Sequence, residues 1–324
     1  MNIKTVGIIG AGAWGTALAL VAGRAGRTTI VSDRDPSIVA AINQHGAGPA
    51  HLGESTLPIS ASEDAGDAAA ADVLVLAVPA QKIREAAVEL AGAVRDDQPI
   101  IVAAKGIELS TGKRLSEVVS ESLPSAKIAV LSGPSFAADV AKNLPTAVTV
   151  AASDEVLARD ICRALGGPAF RPYAETDIIG VEIGGALKNV MAIAAGIVAG
   201  RGLGASAGAA LVARGFAEMR RFAEAFGARP ETLMGLSGLG DIILTCSSAQ
   251  SRNFSVGLAL GDNRPIPDLL AEGIATASVA QRLADERGIR MPITAAVASV
   301  LGKAISIDEA IDELMGRPLR AEAD

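Results

Sequence analysis

The sequence predicts an α/β protein in which an N-terminal doubly wound sheet is followed by a C-terminal all-helical domain. Two observations carry this prediction. From residue 4 to about residue 150, short runs rich in Val and Ile alternate with longer Ala-rich segments, as strands alternate with helices in a parallel sheet. After about residue 180, long Ala, Leu and Gly stretches show no further strand pattern. The length of 324 residues suits two domains, which we place at residues 1–180 and 181–324.

The predicted elements follow one another through the first half of the chain. Strands are expected where Val and Ile cluster, at residues 5–9, 28–31, 73–78, 100–103, 128–131 and 147–151. Helices with apolar residues spaced by three and four positions are expected between them, among others at 15–25, 36–44 and 81–91. The polar segment 169–177, which contains Pro172, is the expected connection between the two domains.

Composition and charge exclude several classes of protein. The net charge is −7 and aromatic residues make up 2% of the chain, so we expect no nucleic acid partner. Cys162 and Cys246 provide neither a disulfide framework nor a metal-ligand spacing, which favours a reducing cytoplasm and no metal site. The uncharged stretch 6–23 resembles a signal peptide, but five of its eighteen residues are glycine, so we expect no membrane insertion.

A glycine-rich turn follows the first predicted strand. Gly10, Gly12 and Gly15 have the G-x-G-x-x-G spacing and lead directly into the first helix. Gly10 permits a tight turn, Gly12 lets the backbone approach a pyrophosphate, and Gly15 lets helix and strand pack closely. The N-terminus of the helix then binds the anion through its free N–H groups. This context predicts a Rossmann-type dinucleotide-binding unit.

Two charged residues of opposite sign follow the second predicted strand, where such a unit contacts the adenosine ribose. An acid at this position, here Asp33, favours NAD because it accepts hydrogen bonds from the ribose hydroxyls. Arg34 beside it is suited to the 2′-phosphate of NADP or to stacking on adenine. The expected cofactor is therefore NADP or NAD, with the choice left open.

Lys188 is the only charged residue between residues 183 and 200, in a segment whose composition predicts a buried helix. Burial lowers the pKa of a lysine, which makes Lys188 a candidate proton donor and acceptor; the alternative is a lysine whose ammonium reaches solvent. The two histidines, His45 and His51, lie in an expected polar loop far from it in sequence, so a lysine relay is favoured over a histidine relay. Lys105 is expected at the carboxyl end of a strand, where open α/β sheets bind ligands.

Two further segments carry groups suited to an anionic ligand. Asp241 lies between glycines and an apolar run, where a carboxylate needs a partner. Ser251, Arg252 and Asn253 precede the apolar stretch 254–260, and they are suited either to phosphate binding or to ordinary helix capping. The string S-G-P-S-F-A at 132–137 is either a plain turn or a second group of donors facing the cleft.

Seven strings resemble, in this order, those of the bacterial NAD(P)-dependent sn-glycerol-3-phosphate dehydrogenases: G-A-G-A-W-G-T-A-L-A, A-V-P-A, A-K-G-I-E, S-G-P-S-F-A, G-G-A-L-K-N-V, G-L-G-D-I-I-L-T-C and Q-S-R-N. The likeness spans nearly the whole chain. It implies a two-domain enzyme that interconverts dihydroxyacetone phosphate and sn-glycerol 3-phosphate by hydride exchange with a nicotinamide cofactor, and so supplies the backbone of glycerophospholipids. The Ala- and Gly-rich helices favour a homodimer.

The resemblance also implies roles for individual residues. Lys188 matches the proton donor and acceptor of the family, and we group Lys105 and Asp241 with it as catalytic. The residues expected to bind the cofactor are Gly10, Gly12, Ala13, Trp14, Gly15, Arg34, Lys105, Ala137, Arg252, Leu270 and Glu272. Those expected to bind the substrate are Lys105, Gly133, Ser135, Lys188, Asp241, Ser251, Arg252 and Asn253. The chain departs from the family where Ala199, Ser206 and Ala213 replace its usual Asp, Asn and Thr.

Two other functions compete with this interpretation. A β-hydroxyacid dehydrogenase has the same fold pattern and a lysine acid/base, but its substrate carries a carboxylate, whereas the Q-S-R-N string favours a phosphate. A dinucleotide sensor that binds without turnover is the second alternative. Retention of Lys105, Lys188 and Asp241 argues against it, because a sensor needs no desolvated proton relay.

Overall fold

The computed structural model describes residues 1–45 and 57–318. Within them, eight strands form one sheet in the order β3-β2-β1-β4-β5-β6-β7-β8. The strands are β1 (Thr5–Ile9), β2 (Thr28–Ser32), β3 (Ile59–Ser62), β4 (Val73–Leu76), β5 (Pro99–Val102), β6 (Lys127–Ser132), β7 (Thr146–Ala152) and β8 (Phe170–Glu175). All neighbours are parallel except β6 and β7. Strands β2 and β3 are added on one side of β1, and β4 and the strands after it are added on the other side. The pair β1 and β4 is therefore the topological switch point of the sheet.

Helices cover both faces of this sheet. They are α1 (Ala13–Arg24), α2 (Pro36–His45), α3 (Ala65–Ala69), α4 (Ile83–Glu89), α5 (Leu115–Ser122), α6 (Ala137–Ala141) and α7 (Glu155–Leu165), with a 3₁₀ turn at Ala80–Lys82. Every residue of β4 and β5 is buried, because helices pack against both sides of these central strands. Two apolar clusters result, one on each face of the sheet.

From residue 178 to residue 318 the structure consists of helices joined by loops. The helices are α8 (Ile178–Gly200), α9 (Ala205–Ala225), α10 (Pro230–Leu233), α11 (Asp241–Cys246), α12 (Arg252–Gly261), α13 (Glu272–Arg287), α14 (Pro292–Leu301) and α15 (Ile307–Met315), with a π-helical turn at Leu236–Gly240. By length and composition α8 is apolar enough to cross a membrane, but 83% of its most apolar window is buried among the other helices. It is the central helix of a third apolar cluster.

Helices α8 and α12 approach each other backbone to backbone. A Cβ atom at Gly196 would overlap the carbonyl oxygen of Phe254, and one at Gly257 would overlap the carbonyl oxygen of Ile193. Glycine is therefore required on both helices at this crossing, since any side chain would force them apart. The contact fixes the position of Lys188, on α8, relative to the first turn of α12.

The structure corrects the predicted elements at the two edges of the sheet. Strand β1 has the predicted bounds, and the other predicted strands differ from the observed ones by one or two residues at an end. The segment 169–177, expected to be a connection, contains β8, which tolerates Pro172 because an edge strand has one side without a partner strand. Strand β3, at the other edge, was not predicted. The antiparallel pairing of β6 with β7 also departs from the expected parallel sheet.

Candidate active site

A cleft of about 640 Å³ opens at the carboxyl ends of the central strands, between the sheet and the helices that follow residue 178. Thirteen of the predicted site residues line it: Gly10, Gly12, Ala13, Trp14, Lys105, Ser135, Ala137, Lys188, Ser251, Arg252, Asn253, Leu270 and Glu272. They come from elements more than 200 residues apart in sequence, from the turn after β1 to the start of α13. Folding therefore brings the predicted dinucleotide, proton-transfer and phosphate groups to one cleft.

Four predicted residues do not line the cleft directly. Gly133 accepts a hydrogen bond from Lys105 Nζ through its carbonyl oxygen at 2.9 Å, and Asp241 lies beneath the two lysines. Gly15 packs against the preceding turn, where a Cβ atom would overlap the carbonyl oxygen of Gly10. Arg34 extends away from the cleft toward α4.

The glycine-rich turn has the geometry that a pyrophosphate requires. Gly10 has φ +99°, and α1 begins at Ala13 without a capping side chain, so its first N–H groups have no side-chain acceptor. A Cβ atom at Gly12 would meet no atom within 4 Å and would project into space that a ligand can occupy. The indole Nε1 of Trp14 is buried without a hydrogen-bond partner in the described structure. These features fit a dinucleotide at this turn.

Lys188 and Lys105 share one buried carboxylate at the base of the cleft. Asp241 Oδ1 lies 3.1 Å from Lys188 Nζ, and Asp241 Oδ2 lies 2.7 Å from Lys105 Nζ. Lys188 Nζ also donates to Thr245 Oγ1 at 2.9 Å. Asp241 is 1% exposed and Lys188 is 8% exposed, so the cluster is almost fully withdrawn from water. Lys188 is therefore buried rather than extended to solvent.

The surroundings adjust the pKa values of this cluster in opposite directions. Burial lowers the pKa of Lys188 to about 8, with a further decrease from Lys105 and an opposing increase from Asp241. Burial alone would raise the pKa of Asp241, but the two lysine ammonium groups hold it below its usual range. A lysine that titrates near pH 8 beside a permanent carboxylate is suited to donate and accept protons at physiological pH.

Ser251, Arg252 and Asn253 form the first turn of α12 at one side of the cleft. The Ser251 hydroxyl caps the helix by accepting from Phe254 N at 3.2 Å, so the ordinary capping role holds for this residue. Asn253 Nδ2 donates to Asn189 Oδ1 at 2.9 Å. The Arg252 side chain is exposed at the cleft, where an anion can contact both its guanidinium and the helix N-terminus.

Sequence reasoning missed Thr245 and Asn189 as residues of this site. Both line the cleft, Thr245 beside Lys188 and Asn189 beside Asn253. A signal was available for each: Thr245 follows Asp241 by four positions, which places both on one face of a helix, and Asn189 adjoins Lys188.

The remaining predicted residues lie elsewhere. His45 is the last residue of α2 rather than part of a loop, and His51 lies outside the described residues. Burial raises the pKa of Cys162 to about 11 and that of Cys246 to about 12, which disfavours a reactive thiolate at either position. Ala199, Ser206 and Ala213 are exposed on α8 and α9 and do not line the cleft. Within residues 1–45 and 57–318, no group of three or more His, Cys, Asp or Glu is placed to hold a metal.

Comparison with known proteins decides the family. The model for the NAD-dependent glycerol-3-phosphate dehydrogenase N-terminus matches residues 5–158, and the model for the C-terminus matches residues 177–312. The chain belongs to this family. The resemblance predicted from the seven strings is thus confirmed. A glycerol-3-phosphate dehydrogenase [NAD(P)+] from Bradyrhizobium sp. (strain BTAi1 / ATCC BAA-1182) is 54% identical over 323 residues, which cover 98% of both chains.

Other members of the glycerol-3-phosphate dehydrogenase family agree in sequence and fold. The enzyme of that name from Afipia carboxidovorans is 53% identical, with 99% of both chains covered. The crystal structure of glycerol-3-phosphate dehydrogenase from Coxiella burnetii has a TM-score of 0.91 and 35% identity over 97% of this chain and 99% of that one. The predicted fold class is therefore confirmed. A 3-hydroxyisobutyrate dehydrogenase from Mycobacterium tuberculosis, with a TM-score of 0.53 and 16% identity, shares the fold alone.

Proposed function

We propose that this chain catalyses the reversible, NAD(P)H-dependent reduction of dihydroxyacetone phosphate to sn-glycerol 3-phosphate in the cytoplasm, feeding glycerophospholipid synthesis. The observation that carries the proposal is the pair of lysines on Asp241, at the base of a cleft lined on other sides by the glycine-rich turn and by Arg252. These are the three parts that the reaction needs: a dinucleotide site, a proton donor and a phosphate site.

The glycine-rich turn would hold the dinucleotide. The first N–H groups of α1 would bind its pyrophosphate, and Gly12 would leave the space for it. When bound, the reduced nicotinamide supplies the hydride that the carbonyl carbon receives. Trp14, Ala137, Leu270 and Glu272 line the same cleft and would enclose the cofactor. The carboxylate of Glu272 is held by the Ala80 N–H at 2.9 Å, so this wall of the cleft is fixed to the sheet.

Proton transfer is assigned to Lys188. As the carbonyl carbon is reduced, the carbonyl oxygen becomes an alkoxide, and the Lys188 ammonium donates its proton to that oxygen. Asp241 and Thr245 position Nζ of Lys188 by accepting from it. Lys105, held by Asp241 and by the Gly133 carbonyl, places a second positive charge near the developing alkoxide. In the reverse direction neutral Lys188 takes the proton from the substrate hydroxyl.

The first turn of α12 would bind the substrate phosphate. Arg252 is suited to a bidentate contact with phosphate oxygens, and the helix N-terminus adds a partial positive charge. Asn253 is held by Asn189 and by the Gly273 N–H, at 2.9 Å in each case. Ser251 and Ser135 add two hydroxyl groups to the lining of the cleft, and that of Ser135 donates to the Gly133 carbonyl at 3.0 Å. Fixing the phosphate in this way orients the carbonyl group toward Lys188.

The oligomeric state and the division of the chain belong to the same proposal. We place cofactor binding mainly in residues 1–180 and proton transfer and phosphate binding mainly in residues 181–324. The Ala- and Gly-rich helices favour a homodimer. Sedimentation velocity checks this state directly, and a monomer at micromolar concentration would contradict it.

The first experiment measures loss of reduced-nicotinamide absorbance with dihydroxyacetone phosphate and either NADH or NADPH. Wild type should turn over, and Lys188→Met should lose at least about 100-fold in kcat, the contribution expected of a general acid. Lys4→Met, which removes an exposed lysine at the start of the sheet, is the matched control. Dinucleotide binding by Lys188→Met should persist, as reported by fluorescence of Trp14.

Two substrates separate the alternatives. A β-hydroxyacid dehydrogenase would turn over 3-hydroxyisobutyrate with NAD and ignore dihydroxyacetone phosphate. A sensor would bind the dinucleotide and turn over neither compound. Arg252→Ala should raise KM for dihydroxyacetone phosphate by at least about tenfold, the loss of one charge-assisted contact. Because Arg252 is also expected to contact the cofactor, the comparison is made at saturating dinucleotide. The slow reduction of phosphate-free dihydroxyacetone should then be unchanged, and an equal effect on both ketones would contradict the phosphate assignment.

A further inference from the structure

The two charged residues at the end of β2 point in different directions. Asp33 lines the cleft beside the glycine-rich turn, whereas Arg34 extends across the protein surface to α4. Sequence position alone made them equal candidates for contact with the adenosine ribose. The structure separates them, because of the pair only Asp33 lines this cleft.

Arg34 is held by two glutamates that share one face of α4. Its Nη1 donates to Glu85 Oε1 at 2.7 Å, and its Nη2 lies 2.5 and 2.6 Å from the two carboxylate oxygens of Glu89. The hydrogen bonds that Arg34 donates to Glu89 and Glu85 raise the pKa of Arg34, and the bond that Glu85 accepts from Arg34 lowers the pKa of Glu85. Glu85 also accepts from Lys82 Nζ at 3.0 Å. Both Nη atoms of Arg34 therefore donate to carboxylates of α4.

Asp33 is fixed in the orientation that suits a ribose. Its Oδ2 accepts from the Ala11 N–H at 2.7 Å, within the glycine-rich turn, and its Oδ1 accepts from the Asp35 N–H at 3.1 Å. Each carboxylate oxygen retains a lone pair that a ribose hydroxyl can use. A 2′-phosphate at the same place would instead meet a like charge.

The local balance of charge is negative. Among the residues that the structure describes, the carboxylates of Asp33, Asp35, Glu85 and Glu89 lie around two cations, Arg34 and Lys82. A 2′-phosphate adds about two more negative charges at neutral pH. To gain Arg34 as a partner, the 2′-phosphate would have to compete with Glu85 and Glu89, whose charges would remain beside it.

We propose that Glu85 and Glu89 determine cofactor selectivity: by holding Arg34 against α4 they withhold it from a 2′-phosphate, so that the chain binds NADH more tightly than NADPH. The inference rests on the proposed function, because it concerns the dinucleotide of that reaction. The preference is severalfold rather than absolute, since Arg34, Glu85 and Glu89 are exposed and exposed ion pairs are weak.

Binding of the two dinucleotides tests the inference without turnover. Trp14 is the single tryptophan of the chain and lines the cleft, so its fluorescence reports dinucleotide binding. Titrations with NADH and with NADPH give the ratio of Kd(NADPH) to Kd(NADH). In Glu85→Gln/Glu89→Gln this ratio should fall about threefold or more, because two exposed ion pairs no longer compete for Arg34.

A matched control removes two glutamates elsewhere. Glu155 and Glu224 form exposed ion pairs with arginines four residues away, on α7 and α9. Glu155→Gln/Glu224→Gln changes the net charge equally and should leave the ratio unchanged. Adding Arg34→Gln to the Glu85→Gln/Glu89→Gln variant should restore the higher ratio, because the released guanidinium is then absent.

The outcomes are distinct. A wild type that binds NADPH as tightly as NADH overturns the inference, and so does a ratio that stays the same when both α4 glutamates are replaced. An equal fall in the control variant also overturns it, because net charge would then explain the change. If the protein binds neither dinucleotide, the proposed function itself fails.

Discussion

Replacing Asp241 with asparagine tests the proton relay through its pKa. The carboxylate lies 3.1 Å from Lys188 Nζ and opposes the effect of burial. An opposite charge at this range changes a neighbouring pKa by about 1–3, so Asp241→Asn should lower the pKa of Lys188 from about 8 to roughly 6. At pH 7.5 the ammonium fraction then falls from about three quarters to about 3%, and reduction should slow roughly 25-fold.

The assay is the dependence of kcat on pH for reduction of dihydroxyacetone phosphate. In wild type the rate should be constant at low pH and fall as pH rises through about 8, because Lys188 must be charged to donate. In Asp241→Asn the fall should begin roughly two pH units lower, and most of the lost rate should return at about pH 5.5. The rate of glycerol 3-phosphate oxidation should instead increase as pH rises through about 8, since oxidation needs neutral Lys188. We call the pH-dependent part of each profile its limb.

A uniform loss of rate in Asp241→Asn, with the limb still near pH 8, would refute this reasoning, because the carboxylate would then act only on structure. Glu218→Gln is the control. Glu218 is a buried carboxylate of the helical region that accepts from the backbone N–H groups of Ile293 and Thr294, away from the cleft. Its replacement should reduce stability without moving the limb.

Two further variants test individual contacts. Thr245→Val removes the 2.9 Å hydrogen bond from Lys188 Nζ and should lower kcat about tenfold with little change in KM. Thr245→Ser, which keeps a hydroxyl, should restore most of the rate. A serine variant as slow as the valine variant would contradict a positioning role for the hydroxyl. Gly15→Ala should lower the free energy of unfolding by about 1–3 kcal/mol in a thermal melt, because its Cβ overlaps Gly10. Gly12→Ala, whose Cβ meets nothing, should keep the melting temperature and weaken dinucleotide binding.

The central part of the fold could be predicted because its signals are local. Strand β1 is a continuous apolar run between a lysine and a glycine turn, and burial on both faces makes such a run unambiguous. Strands β3 and β8 lie at the sheet edges, where β3 has no fully buried residue and β8 has only Phe170, so their composition resembles that of a loop. The antiparallel direction of β7 depends on how the chain returns to the sheet after α6, which no local pattern records.

Much of the candidate site was predicted from residue type, but its contacts were not. Burial of Lys188 followed from the apolar segment around it. That Asp241 would serve both lysines depends on how the segment 236–246 packs against α8 and against the residues after β5, which brings Lys105 and Asp241 together although they are 136 positions apart. The direction of Arg34 likewise depends on α4, which presents two glutamates four positions apart.

The backbone contact between α8 and α12 at Gly196 and Gly257 fixes the distance between the two helices. In the proposed function, α8 carries Lys188, the acid that would protonate the carbonyl oxygen, and α12 carries the groups that would bind the phosphate. Because main chain touches main chain there, no smaller side chain can bring the helices closer, and a larger one at Gly196 or Gly257 would force them apart. The spacing of α8 and α12 would then set the distance between carbonyl and phosphate that a substrate must have. Selection for a longer phosphorylated ketone would have to move a helix or rebuild the link from 247 to 251.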